Sequence, residues 1–350
     1  MQFNLENMEI DPDAARQYID ARSAFTEMER TKKNALQVRG GMVWKTVDGK
    51  EYLIRTSATG AQKGLGRRTA ETEAIYQGFK EKKQTMDERV SSIKTRVAKQ
   101  ERMNRALRVG RMPNIALAIL SRLANAGLEP YFRVVGTHAL YAYEAAAGVS
   151  FSSEITSTRD IDLLWDTRKR VVFSQRLSQD SPSMLAVLQK VDKTFQIIED
   201  QKYTAINKDG FEVDIIRRIA TEGDPHPIRL SDALDDFWVV QAKRAGDLAN
   251  APEFSEIVVA EGGAMARMTT IHPSTFVSFK RWMSKEPDRD PLKRRRDVLQ
   301  ADAVEWLLHE RLPHLLVEER IREMVFHCGW GRLRKRNLKS VKAWAAAVAA

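Results

Sequence analysis

The chain has 350 residues, with 57 Lys and Arg against 47 Asp and Glu, a formal net charge of +10 and one cysteine, Cys328. That length suits two or three domains rather than one core, and the basic balance favours polyanionic partners: nucleotides, RNA or DNA. A single thiol excludes an internal disulfide, no Cys/His cluster has zinc spacing, and no apolar run approaches a membrane span; with a polar, acidic start unlike a signal peptide, the expected location is a reducing cytoplasm, away from membranes.

In chain order, the first segment to about Lys33 reads as helix, with Asp11 as cap and Pro12 in the first turn. Residues 42–55 hold two β-rich runs around Asp48-Gly49, a hairpin signal. Residues 57–68, SATGAQKGLGRR, lack the Gly-Lys-Ser/Thr that closes a P-loop, so a flexible loop is expected, with Arg67 and Arg68 in reach of a bound anion. Residues 71–108 contain no proline, and their apolar residues recur at helical spacing, predicting one or two long helices that form an arm. A helix at 114–125 is closed by Gly127.

The pattern then changes to a short strand ending in Gly136, a helix at 137–147, and a strand at 159–165 that 170–173 would extend. A helix at 184–193 precedes strands at 195–206 and 211–216, joined by an Asn207–Gly210 turn. Short strands at 257–260 and 266–270 flank Gly262-Gly263. From His272 the chain reads as helical at 273–284, 291–309, 313–327 and 338–349. Alternating strands and helices here indicate an α/β or α+β sheet domain. It is placed at 111–270, after a helical arm with a hairpin (1–110) and before a C-terminal helical domain (271–350).

Three features carry chemistry. In Thr158-Arg-Asp-Ile-Asp-Leu-Leu-Trp165, strand alternation aims Asp160 and Asp162 the same way while Ile161 and Leu163 face a core. Two adjacent carboxylates repel, and a divalent metal resolves the repulsion. In Phe211-Glu-Val-Asp-Ile-Ile216, Phe211, Val213 and Ile215 share one face and Asp214 projects from the other. If the two strands are neighbours, Asp214 completes a three-carboxylate cluster suited to in-line displacement at phosphorus. Gly136 and Thr137 end a strand and open a helix, where backbone N–H groups and a hydroxyl can receive phosphate.

The order Gly-Thr, Asp-x-Asp, Asp resembles the DNA polymerase beta-like nucleotidyltransferase superfamily, and more closely a bacterial group of predicted nucleotidyltransferases. The likeness runs over roughly residues 40–305 and includes residues 135–144, 159–166, 213–216, 272–282 and 288–297, with the Trp44 hairpin and residues 64–73. It implies an α+β fold in which 111–270 is a nucleotidyltransferase domain, a small mixed sheet with flanking helices, followed by a helical domain. It implies that Asp160, Asp162 and Asp214 ligate Mg²⁺ (or Mn²⁺), with Asp214 also helping to activate the acceptor. It implies that Gly136 and Thr137 bind an NTP such as ATP, and that a basic residue of the helical domain, Lys280 by choice, reaches the triphosphate. Thr137 stands where Ser is commoner, and an insertion around 148–158 lengthens the gap from Gly136 to Asp160 and borders the site.

The resemblance thus implies transfer of an NMP from an NTP to an acceptor hydroxyl, on an RNA end, a protein or a small molecule. The other reading left open is a non-catalytic regulatory or nucleic-acid-binding protein, antitoxin-like, on the same fold; the 71–108 arm and the basic segment 331–342 motivate it. His138 is a phosphate contact or a buried structural histidine. Lys293-Arg-Arg-Arg296 cannot all face one ligand at 100° per residue, and Arg296-Asp297 is a candidate internal pair.

Overall fold

The structure is a computed structural model that describes residues 9–316; Cys328, the basic segment 331–342 and the helices expected beyond residue 316 lie outside the described residues. The chain divides into two units. Among the described residues, one is Asp11–Asn114 with Val259–Met265; the other is made of 9–10, 115–258 and 266–316.

The first unit opens with helix α1 (Pro12–Ala35), whose N-terminus is capped by the Asp11 carboxylate accepting from the N–H groups of Asp13 and Ala14. Its buried residues, Ala14, Gln17, Ala21, Ala24, Met28 and Thr31, recur every three or four positions and form one narrow stripe. Strands β1 (Gly41–Val47) and β2 (Lys50–Thr56) pair antiparallel through Asp48 (φ 50°) and Gly49 (φ 72°). Two successive left-handed residues match the turn that the strand twist prefers.

The expected loop at 57–68 is instead partly a third strand, β3 (Gln62–Arg67), pairing with β2. Main-chain hydrogen bonding to a neighbouring strand needs no apolar side chains, so a Gly-rich, basic run can complete a sheet edge. Helix α2 (Ala70–Ala106) is one continuous 37-residue helix opened by a Thr69/Thr72 capping box. It runs antiparallel to α1, with Gln17 Nε2 donating to Gln100 Oε1 (2.7 Å) and Asn104 Oδ1 (3.0 Å). Only Thr72, Ile93, Val97 and Asn104 of α2 are buried, so most of its surface faces water.

The second unit begins with α3 (Asn114–Ala126) and β4 (Phe132–Val135). A single 3₁₀ turn, Gly136–His138, leads into α4 (Ala139–Ala147), and the 148–158 insertion contains the one-turn helix α5 (Ser153–Thr156). After β5 (Asp160–Trp165), residues 170–173 begin helix α6 (Arg170–Asp180) rather than extending the strand. Tertiary contact decides this: Phe173 is fully buried against Trp165 and Phe132, with ring centroids 5.4 and 5.6 Å apart, while Val171 and Val172 stay exposed.

Helix α7 (Met184–Gln189) precedes β6 (Gln196–Ile198), β7 (Gln201–Ile206) and β8 (Glu212–Arg217). The run 195–206 is thus two strands with a turn at Glu199-Asp200, not one. The remaining elements are β9 (Val240–Gln241), α8 (Ala245–Asn250), β10 (Glu253–Val259), β11 (Met265–Ile271), α9 (Pro273–Met283) and α10 (Pro291–Glu310).

The strands form one mixed sheet in the order β10-β11-β4-β5-β8-β7-β6, with β9 on β8. Ile161, Leu163 and Val213 face one side of the sheet and are fully buried. On the other side, Val135, Leu164 and Ile271 pack with Leu140 and Tyr143 of α4, Phe276 of α9, and Val304 and Leu307 of α10. The fold is α+β, and its α9–α10 helices share a core with the sheet. Among the described residues no helix is long and apolar enough to cross a membrane.

Candidate active site at the Asp160–Asp162–Asp214 cluster

The site lies where β4, β5 and β8 run side by side. β5 and β8 are parallel, with Asp160 opposite Glu212 and Asp162 opposite Asp214. In-register residues of parallel strands point to the same face, so the two aspartates stand next to each other and Asp160 lies one pleat along. Each of Asp160, Asp162 and Asp214 offers a carboxylate oxygen, and the three oxygens lie within 4.8 Å of one another. Both strands alternate half-buried acids with fully buried aliphatics, which holds the carboxylates at the rim of the core.

Neighbours fix two of the acids. The Thr158 hydroxyl donates to Asp160 Oδ1, and the Thr204 hydroxyl, from β7, donates to Asp214 Oδ1. Burial, and then the negative charges of Asp160 and Asp214, push the Asp162 carboxyl up to about 7; Lys280 and Arg289 pull the other way. Burial also raises Asp214, opposed first by the Thr204 hydrogen bond and, more weakly, by Lys293, while Asp160 and Glu212 raise it further. Three oxygens this close, two of them on acids that resist ionisation, form a donor set that fits a divalent cation: hard oxygen ligands with charge in need of neutralisation.

Gly136 adjoins this cluster. Its φ is +70°, and a Cβ there would overlap Asp162 Oδ2. The left-handed backbone favours glycine, and the missing Cβ lets the Asp162 carboxylate approach the backbone closely. Thr137 is buried, and its Oγ1 accepts from Gln300 Nε2 (3.2 Å), which leaves its own proton to donate. Gln300, on α10, is fully buried and also donates to the Ile155 carbonyl (2.8 Å). It links the Gly-Thr turn to the insertion, and no pattern in the sequence marked it.

His138 is 1% exposed and packs against Tyr141 and Phe211. Burial holds its imidazole down to about 4, against a smaller upward pull from Asp160.

Lys280 is 3% exposed and does not project into solvent. Its Nζ contacts Asp297 Oδ1 at 2.9 Å, and the other oxygen of Asp297 receives Arg289 Nε at 2.8 Å. Asp297 is fully buried and therefore bridges two cations. Both cations act on Asp162 across the site. Asp297 pairs with Lys280 and Arg289 and not with Arg296, whose Nη1 instead donates to the Ser157 carbonyl (2.9 Å). The 293–296 cations do separate: Arg294 donates to main-chain carbonyls of 286, 287 and 289, Arg295 lies 3.6 Å from Glu154, and exposed Lys293 acts on Asp214.

A carboxylate triad beside a glycine turn, on a mixed sheet backed by helices, defines a site suited to a divalent cation. A family model described as Nucleotidyltransferase matches residues 114–325, more than half of the chain. The chain belongs to this nucleotidyltransferase family, and its activity is of the transferase kind. Searches of curated proteins and of solved structures give no match. The family match begins at Asn114, so residues 11–113 lie outside it.

Proposed function

We propose that the protein transfers a nucleoside monophosphate from an NTP to an acceptor hydroxyl, releasing pyrophosphate, with Asp160, Asp162 and Asp214 holding Mg²⁺ or Mn²⁺. The observation that carries this reading is the convergence of those three carboxylates within 4.8 Å, beside a glycine whose missing Cβ leaves room for Asp162. When bound, the metal neutralises phosphate charge and eases deprotonation of the acceptor hydroxyl.

The chain's own residues do the rest. Gly136 and Thr137 form the turn we assign to the nucleotide phosphates, with the Thr137 hydroxyl as donor. Gln300 fixes the Thr137 side chain, and Thr204 fixes Asp214 toward the acceptor. Lys280, locked by Asp297, keeps positive charge beneath Asp162. Lys293 is exposed and acts on Asp214, and it is the cation we assign to the triphosphate. The acceptor hydroxyl gives its proton to the Asp214 carboxylate as its oxygen attacks the α-phosphorus; the bond from that phosphorus to the bridging β-phosphate oxygen breaks, and pyrophosphate leaves with the electron pair.

Incubation with each of four labelled NTPs, Mg²⁺ and candidate acceptors tests the reading. Asp160→Ala with Asp162→Ala is expected to reduce transfer by well over 100-fold, beyond the roughly 10–100-fold that loss of an outer-shell partner costs. Transfer at the wild-type rate by this double variant refutes the assignment. Lys293→Ala is expected to raise KM for the NTP more than it lowers kcat.

A further inference from the structure

The family match begins at Asn114, so most of the first unit lies outside it. Its charge is unusual: residues 11–114 hold 23 Lys and Arg against 13 Asp and Glu, an excess equal to that of the whole chain. Between α1 and α2 lies a groove of about 430 Å³, lined by Arg30, Thr31 and Asn34 of α1 and by Arg89, Ser92 and Arg96 of α2, among others. Its floor includes half-buried Met86 and buried Ile93. Arg30, Arg89 and Arg96 are exposed, and none has an ion-pair partner among the described residues. The groove's one carboxylate, Glu27, accepts from the Thr31 hydroxyl.

We propose that this α1–α2 groove binds the phosphodiester backbone of a nucleic acid strand. Arg89 and Arg96 are seven residues apart on one helix, hence about 10 Å along its axis, and they face Arg30 across the groove. A single small anion meets one or two such guanidinium groups; a strand, with a phosphate on every nucleotide, meets all three. The donors between them, Ser92 and Asn34, are suited to phosphate and sugar oxygens. An acidic peptide helix would need a continuous apolar seam for its anchors, and here the apolar part is limited to Met86 and Ile93. The proposal does not depend on the transfer reaction.

The test uses the full chain and fluorescently labelled RNA and DNA single strands of the same sequence, about 20 nucleotides long, titrated between about 50 and about 200 mM salt. Wild type is expected to bind, with log K falling linearly against log salt. The triple variant Arg30→Ala, Arg89→Ala, Arg96→Ala is expected to lose about 2 from the magnitude of that slope, ~0.7 for each single-strand phosphate contact, and at least ~10-fold in affinity at low salt. The corresponding triple Arg→Lys variant should keep the slope. Should the triple alanine variant melt early, Arg89→Ala alone, expected to lose ~0.7, provides the same reading.

Equal affinity for RNA and DNA supports readout of the phosphate backbone alone; tighter RNA binding supports the proposal with a 2′-hydroxyl contact added. Absence of wild-type binding, or unchanged affinity and slope in the alanine variants, overturns it. So does an oligo-glutamate peptide that binds more tightly than either strand and is released by the same substitutions.

Discussion

The two units use charge in opposite ways. Residues 115–316 hold 26 Lys and Arg against 29 Asp and Glu, and their informative charges are sunk: Lys280 and Asp297 are buried as a pair, and three aspartates are crowded at the rim of a core. Residues 11–114 carry a surplus of cations that stays on the surface, as in the α1–α2 groove. Burial makes a charge expensive and therefore specific in position; exposure makes it cheap and effective mainly against a polyanion. A chemical centre needs the first arrangement, and a contact with a charged polymer needs only the second.

Substitutions can break this contrast. The largest stability effect is expected from Asp297→Ala, which strands Lys280 in the core and frees Arg289: about 3–5 kcal/mol lost, read by denaturant unfolding. A loss below about 1 kcal/mol would mean that the buried network is not held as described.

Next is Gly136→Ala. The left-handed backbone alone costs about 1–2 kcal/mol, and the added Cβ also displaces Asp162. Transfer activity is expected to fall further than stability does, as measured by comparing kcat with the melting temperature.

Asp162→Asn should act in the opposite direction on the metal-free protein. The folded-state pKa, about 7, is raised above the unfolded value of about 3.9. The stability linked to this group is therefore fully present below about pH 4 and lost as pH rises through 7. In chelator near pH 8 the asparagine variant is expected to melt higher than wild type, by roughly 2–4 °C for each kcal/mol regained. The gap should close as pH falls toward 4 and should reverse when Mg²⁺ is added.

The smallest effect belongs to the first unit. Arg96→Ala should change stability by less than about 0.5 kcal/mol, since an exposed, unpaired side chain has little to lose. A larger loss would make the groove arginine a structural element.

Local chemistry alone identified many elements. Asp11-Pro12 marks the start of α1, and Asp48-Gly49 suits the turn between β1 and β2 because of its left-handed tolerance. Strand alternation in residues 158–165 and 211–216 aims Asp160, Asp162 and Asp214 away from their aliphatic neighbours. The family is legible there as well, since a Gly-Thr turn ahead of two acid-bearing strands is a pattern of sequence order. Local signals misled at 170–173, whose β-branched pair suggested a strand, and at 62–67, whose glycines suggested a loop.

What only tertiary structure decided is adjacency. That Asp214 stands opposite Asp162 depends on the pairing of β5 with β8, about fifty residues apart. That Lys280 is buried against Asp297, and that Gln300 reaches Thr137, depends on how α9 and α10 pack onto the sheet. Alternation and capping are properties of a few consecutive residues, governed by backbone sterics and hydrogen bonds within a turn or strand. Which charge neutralises which is settled by desolvation when distant segments meet, and no short stretch of chain contains that information.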